Sequence, residues 1–310
     1  MTKPRVVVAL GGNAIAPPGG DDPASQLHAV GGAMDNVADL VLDGYDMAIT
    51  HGNGPQVGNL MIKNEMARDV VPPVPLDWCV AQTQATIGYL IVSCLERALR
   101  SRGVPRVVTT LVTRVLVDPD DPAFDRPTKP IGRYAPEDEA RARIADGETW
   151  KPSGSKGWRR LVPSPQPREI LDQDAAVQLL HDGAVVVAAG GGGIPMVRED
   201  AGLRGVEAVL DKDLSAALLA RAISAECLVI ATDVPAAATG FGTPEQEWLG
   251  RVTPARLREL AGQGQFDSGS MAPKVAACAS FVEATGGRAV ITSLESLREG
   301  ASGAVGTVVE

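Results

Sequence analysis

The chain has 310 residues, 45% hydrophobic, 22% charged and 4% aromatic, a globular composition that excludes disordered, collagen-like and coiled-coil classes. Its formal net charge is -9, so its field repels phosphate backbones and excludes nucleic acid as the main partner. The length fits two domains or one large α/β domain.

Strand and helix patterns alternate from end to end. Residues 5–10 are a β-branched run, as in a strand buried on both faces. Lys3 and Arg5 before this run, with Ala14-Ile15-Ala16 after it, imitate a secretion signal. The apolar stretch is too short, and Gly11-Gly12-Asn13 interrupts it. Leu27, Val30, Met34, Val37, Leu40 and Val41 then mark one apolar helix face, with Ser25 as the expected cap and Gly44 as the stop. Residues 45–50 read as a second strand. Ile87, Leu90, Ile91, Cys94, Leu95, Ala98 and Leu99 form another helical stripe ending at Gly103, and residues 106–113 a third strand. No uncharged stretch reads as long and apolar enough to span a bilayer, so no membrane partner is expected.

The texture changes at residues 118–167, where nine of the chain's 23 prolines fall. Such a segment is not expected to be a regular sheet layer, and its length suggests a lid or small protruding subdomain. Alternation then resumes. A helix is expected over 170–180, a strand over 185–189, a helix over 213–223 and a strand over 227–232. Thr253-Pro254 opens a short helix, with proline at its tolerated first position. Val275, Cys278, Phe281 and Val282 mark another helix, and 288–292 a last strand. The pattern implies a mostly parallel sheet with helices on both faces.

Cys79, Cys94, Cys227 and Cys278 form no C-x-x-C pair and read as reduced core thiols of a cytoplasmic protein. His28, His51 and His181 lie far apart, without zinc spacing. Three glycine-rich turns follow directly on strands: Gly11-Gly12-Asn13, the run from His51 through Gly52, Asn53 and Gly54 to Gln56, and Gly190-Gly191-Gly192-Gly193. Ligands of open α/β sheets bind at the carboxyl ends of strands, where such turns offer amides to anions. Three of them in one sheet suggest a large anion, or two anions facing each other. G-x-G-x-x-G, the P-loop motif and the protein-kinase H-R-D set are all absent. Any phosphate-binding lysine must therefore come from elsewhere. The candidates are Lys212 between Asp211 and Asp213, Lys274 after Ser270-Met271-Ala272-Pro273, and Lys129 held between Pro127 and Pro130.

These pieces closely resemble the carbamate kinases of the amino acid kinase family. The resemblance rests on ALGGNA (9–14), THGNGPQVGN (50–59), PLDWC (75–79), QATIGY (84–89), PTKPIG (127–132) and WRRLVPSPQP (158–167). It continues through AGGGGIP (189–195), LDKD (210–213) and GSMAPKV (269–275), in unbroken order over essentially the whole chain.

The resemblance implies one αβα sandwich around a central, mainly parallel sheet. Residues 1–165 would form the acid-binding half, including a protruding lid at about 118–165, and residues 166–310 the nucleotide half. The implied reaction is ATP + carbamate ⇌ ADP + carbamoyl phosphate, run toward ATP in amino acid breakdown. Gly11, Gly12 and Asn13 would hold the transferring phosphoryl group, and Gly52, Asn53 and Gly54 the small acid. Lys212, Lys274 and the lid's Lys129 would be catalytic, with Asp213 orienting the first two. Gly191, Gly192, Gly193, Asp211, Asp233, Met271 and Lys274 would serve the nucleotide. Mg²⁺ would ride on the nucleotide phosphates with no protein metal cluster, and a homodimer is expected.

Some positions depart from the pattern. Ala9 stands where many relatives carry a lysine, Ala272 replaces a glycine, and Val234-Pro235-Ala236-Ala237-Ala238 replaces a charged run near the nucleotide. The lid's Glu137, Glu139, Arg141 and Arg143 receive no role. Two alternatives stand beside this reading: a kinase of another small acid, and a nucleotide sensor without catalysis.

Overall fold

A computed structural model describes residues 3–16, 22–267 and 269–310, apart from the side chains of Asn13 and Ser155. In chain order the first elements are β1 (Arg5–Leu10), α1 (Pro23–Leu42), β2 (Asp46–His51), α2 (Gly54–Ala67), α3 (Leu76–Ser101), β3 (Val108–Thr110) and β4 (Arg114–Val117). The proline-rich segment holds β5 (Lys129–Ala135), α4 (Glu137–Ala145), β6 (Thr149–Pro152), β7 (Trp158–Val162) and the start of β8 (Pro167–Ile170). Next come α5 (Gln173–His181), β9 (Val185–Val187), β10 (Ile194–Glu199), β11 (Gly202–Gly205), α6 (Lys212–Ala222) and β12 (Cys227–Thr232). The chain closes with β13 (Ala238–Thr239), β14 (Glu247–Trp248), β15 (Arg251–Val252), α7 (Pro254–Gly262), α8 (Met271–Thr285), β16 (Arg288–Ser293), α9 (Leu297–Ser302) and β17 (Thr307–Val309).

The main sheet has the order β15-β17-β16-β12-β1-β2-β9-β3. Strands β16, β12, β1, β2, β9 and β3 are mutually parallel, while β17 runs antiparallel to β16. Alternation along the central strands builds two cores. Val7, Ala9, Leu228 and Ile230 face one cluster with α6, α7 and α8, whereas Val6, Val8, Leu10 and Val229 face another with α1 and α3. This is the expected αβα sandwich. The two halves of the chain are interleaved, because β9 from the second half lies between β2 and β3 of the first.

Several local expectations need correction. The cap of α1 is Asp22, whose carboxylate accepts from Ala24 N and Ser25 N; Ser25 instead donates its hydroxyl to that same carboxylate. A carboxylate followed by Pro23 at the first position fixes the start three residues early. Leu27 is 43% exposed, so the apolar stripe begins at Val30. The stretch 106–113 is strand only at Val108–Thr110, and Ile170 belongs to β8 ahead of α5.

The proline-rich segment does form a sheet, with order β5-β7-β6. The prolines in the strands of this sheet, Pro130 and Pro152, fall on its two edge strands, where a missing N–H breaks no central ladder. A third apolar cluster of Val57, Leu76, Cys79, Val80, Ile131, Val162, Ile194 and Val209 roots this lid in α2, α3 and β10. Its charged residues form ion pairs: Arg141 with Glu137, Arg133 with Glu139, and Arg143 across to Glu65 of α2.

Among the described residues α3 is long and apolar enough to cross a membrane, contrary to the sequence expectation. Half of that stretch is buried, and Ile87, Ile91, Leu95 and Leu99 belong to the second core. A core helix shares this composition with a spanning one. All four cysteines are buried free thiols.

Candidate active site

The glycine turns and two of the three candidate lysines meet at the carboxyl edge of the parallel strands. β1 ends in Gly11 and a short 3-10 turn over Gly12–Ala14; the side chain of Asn13 lies outside the described residues. A side chain at Gly11 would press on the Ala231 carbonyl at 3.0 Å, so glycine lets β1 and β12 close here without a shift of that carbonyl. β2 ends at His51, and Gly52-Asn53 lead into α2, with Pro55 in its first turn.

Asp213, in the first turn of α6, is 3% exposed and bridges both lysines. Lys212 Nζ donates to its Oδ1 at 2.5 Å, and Lys274 Nζ, from the first turn of α8, to its Oδ2 at 2.9 Å. Burial alone would raise the Asp213 carboxyl, but the two ammonium groups override it and hold the value down to about 2. Burial lowers Lys212 despite its partner, with Lys274 adding repulsion. Lys274 is raised: burial opposes its charge, and Asp213 outweighs that.

The two lysines face different spaces. The aliphatic stem of Lys212 lies against Gly52, 3.4 Å from where a side chain there would begin. Lys274 lines a cleft of about 410 Å³ together with Gly11, Gly12, Thr232, Asp233, Ser270 and Glu295. Asp213 thus couples a cation at the Gly52 turn to a cation in the Asp233 cleft. The amino termini of α2, α6 and α8 converge on the same place and add positive potential.

The Gly190–Gly193 turn lies behind the Gly52 turn, away from the Asp233 cleft. All four glycines are buried, and side chains at Gly190 and Gly191 would strike His51 and Asn53. The turn follows β9, three strands from β12; Gly191 backs Asn53, Gly192 lies against Leu210 and Gly193 against Val115, and none of them lines the Asp233 cleft. Asp211 does not line that cleft either. It caps α6 through Asp213 N and Leu214 N and accepts Lys129 Nζ at 2.8 Å. Asp233 and Lys274 do line it, with Met271 at the start of α8. Ala236, Ala237 and Ala238 are buried, and Ala237 N donates to Thr307 Oγ1 at 2.9 Å, so this run packs inward.

Sequence reasoning missed a buried polar frame beneath the turns. Asn53 Nδ2 donates to Thr83 Oγ1, and Gln84 Nε2 to the carbonyls of Thr113 and Gly190. Thr113 N donates to Gln84 Oε1, Ser215 Oγ to the Gly192 carbonyl, and Thr50 Oγ1 to the Ala189 carbonyl. The signal was present: Thr83 and Gln84 sit in phase with the apolar stripe of α3, where a polar side chain must find an internal partner. His51 is buried and neutral, pushed down to about 4 chiefly by burial, and its Nδ1 lies 2.9 Å from the Gly52 carbonyl.

Residues 4–293 match the amino acid kinase family model. The chain belongs to the amino acid kinase family. Within that family it is 44% identical to the carbamate kinase of Thermococcus kodakarensis over 98% of both chains. It is 43% identical to a carbamate kinase-like protein of Escherichia coli, again over 98% of both. The carbamate kinase of Giardia lamblia bound to AMP-PNP superposes with a TM-score of 0.93 at 37% identity, covering 99% of this chain and 98% of that one.

Proposed function

We propose that this amino acid kinase-family enzyme is a carbamate kinase, transferring a phosphoryl group reversibly between ATP and carbamate. The observation that carries the reading is the Asp213-bridged pair: Lys212 faces the Gly52 turn and Lys274 faces the Asp233 cleft. Phosphoryl transfer needs two anionic substrates in line, with charge neutralised on the oxygens between them. A carbamate oxygen attacks the terminal phosphorus, and the bond to the bridging oxygen of the nucleotide breaks. Lys212 and Lys274 then lie on either side of the group in flight and stabilise its oxygens.

Gly11, Gly12 and Asn13 hold the phosphoryl group, and Gly52, Asn53 and Gly54 hold the acid, with Thr83 fixing the Asn53 amide. Asp233, Met271 and Lys274 serve the nucleotide, and the lid's Lys129 serves carbamoyl phosphate. Mg²⁺ fits as the nucleotide's companion, because Asp213 and Asp211 are saturated by ammonium and amide donors. It supplies charge neutralisation on the phosphates. Flux toward ATP, a homodimer and a cytoplasmic location complete the proposal.

The test is ATP formation from ADP, Mg²⁺ and carbamoyl phosphate, with acetyl phosphate as comparison donor. ATP formation that prefers carbamoyl phosphate is expected. Folded protein that binds nucleotide yet makes no ATP would overturn the assignment, and a preferred different acyl phosphate would redirect it to another small acid.

A further inference from the structure

We infer that Asp211 is a positioning residue, which fixes the lid lysine Lys129 beside the catalytic pair; this rests on the carbamate kinase reading. One Asp211 oxygen caps α6, accepting from Asp213 N at 2.9 Å and Leu214 N at 3.4 Å. The other accepts Lys129 Nζ at 2.8 Å. With one oxygen locked by the helix, the direction of the other is set. Lys129 is therefore held at the start of α6, on the residue that directly precedes Lys212, whose own ammonium is committed to Asp213.

Packing at Ile131 and Val162 roots the backbone of β5, but the Lys129 side chain itself is 32% exposed, so apolar packing does not set where its ammonium sits. A cavity of about 590 Å³, lined by Met61, Val74, Ile131, Arg143 and Trp150 among others, separates much of the lid from α2. The lid is fastened at its ends. At one, Gly58 meets the backbone of Gly132, and Val209 N donates to the Pro163 carbonyl. At the other, Arg143 pairs with Glu65, which is 42% exposed. The Lys129–Asp211 pair is more enclosed on its carboxylate side, at 13% exposure. Three ammonium groups, Lys129, Lys212 and Lys274, then share two carboxylates, leaving one positive charge in excess for an anionic substrate.

Asp211→Asn separates the two duties, since an amide oxygen caps a helix about as well as a carboxylate but carries no charge for Lys129. In steady-state ATP formation the variant should raise the KM for carbamoyl phosphate about tenfold and leave that for ADP within about twofold. The same substitution in a Lys129→Ala background should add nothing further. Hydrogen exchange over residues 129–135 should quicken in Asp211→Asn while the amides of α6 stay protected. Wild-type ATP formation in the same series reports on the carbamate kinase reading by itself, and the exchange measurement needs no substrate. Unchanged exchange over 129–135 overturns the inference whatever the reaction proves to be. An equal effect in the Lys129→Ala background, or a lower KM for carbamoyl phosphate, also overturns it.

Discussion

Lys274 Nζ donates to Asp213 Oδ2 across 2.9 Å, tying the first turn of α8 to the first turn of α6. The other oxygen of the same carboxylate is taken by Lys212. Three buried charges therefore sum to one positive, and the carboxylate is what permits two ammonium groups to share a dry site. Asp213→Asn leaves them facing each other without compensation. We expect a loss of about 3 kcal/mol or more in urea unfolding, the range for breaking a buried pair. A wild-type unfolding midpoint would show that the lysines are not held charged by Asp213.

Lys274→Ala is the milder lesion, because Asp213 keeps Lys212. Turnover should fall by about 10²- to 10³-fold, the usual effect of removing one group that stabilises transition-state charge. Circular dichroism should report an intact fold. Near-normal turnover would remove Lys274 from the chemistry.

His51 makes stability depend on acid. Burial, the largest influence, together with Lys212 puts its folded value at about 4, below the ordinary 6.5. Between those values the unfolded chain binds a proton that the folded one refuses, so stability falls as pH drops through that window, by about 3 kcal/mol in full. His51→Gln should flatten this slope in urea titrations at pH 4 to 7. An unchanged slope would mean that the acid sensitivity lies elsewhere.

Lys212 sets the alkaline side. Burial lowers it from 10.5, so it should lose its proton before an ordinary lysine does. The kcat of ATP formation should therefore decline at a pH below that of a free lysine. Lys212→Arg, whose charge does not titrate in this range, should lose that decline along with some turnover. A decline that persists in the arginine variant would assign it to another group.

Gly191 is tested by a single methyl group. Its φ is +64° and an added side chain would sit 2.3 Å from Asn53 Nδ2. Gly191→Ala should lose about 1–3 kcal/mol through backbone strain and displacement of Asn53. The accompanying effect should be a raised KM for carbamoyl phosphate with little change for ADP. A selective rise for ADP would return this turn to the nucleotide.

Local chemistry made much of the molecule legible. The run at Arg5–Leu10 and the run at Cys227–Thr232 carry β-branched and apolar residues that only a strand buried on both faces accommodates. Thr253 followed by Pro254 announces the start of α7, and Thr253 Oγ1 does accept from Arg256 N. Pairing the glycine turns with strand ends was equally local, as was recognising Lys212 and Lys274 at helix starts.

What no local pattern contains is which turn lies next to which. The Gly190–Gly193 turn reads like a phosphate cradle, yet β9 inserts beside β2 and buries it behind Asn53. Asp211 reads like part of a nucleotide site, yet its oxygens are consumed by α6 and by Lys129, 82 positions away. Strand order and helix contacts at a distance decide these partners, and they depend on the packing of both cores at once. Residue patterns along the chain specify most of the strands and helices, the layered α/β class and the residue types for handling phosphate. The bridging role of Asp213 between Lys212 and Lys274, which the family resemblance implies, is realised where packing brings the starts of α6 and α8 together, whereas the hold of Asp211 on Lys129 comes from long-range packing alone, because it joins the lid to a helix start far away in the chain.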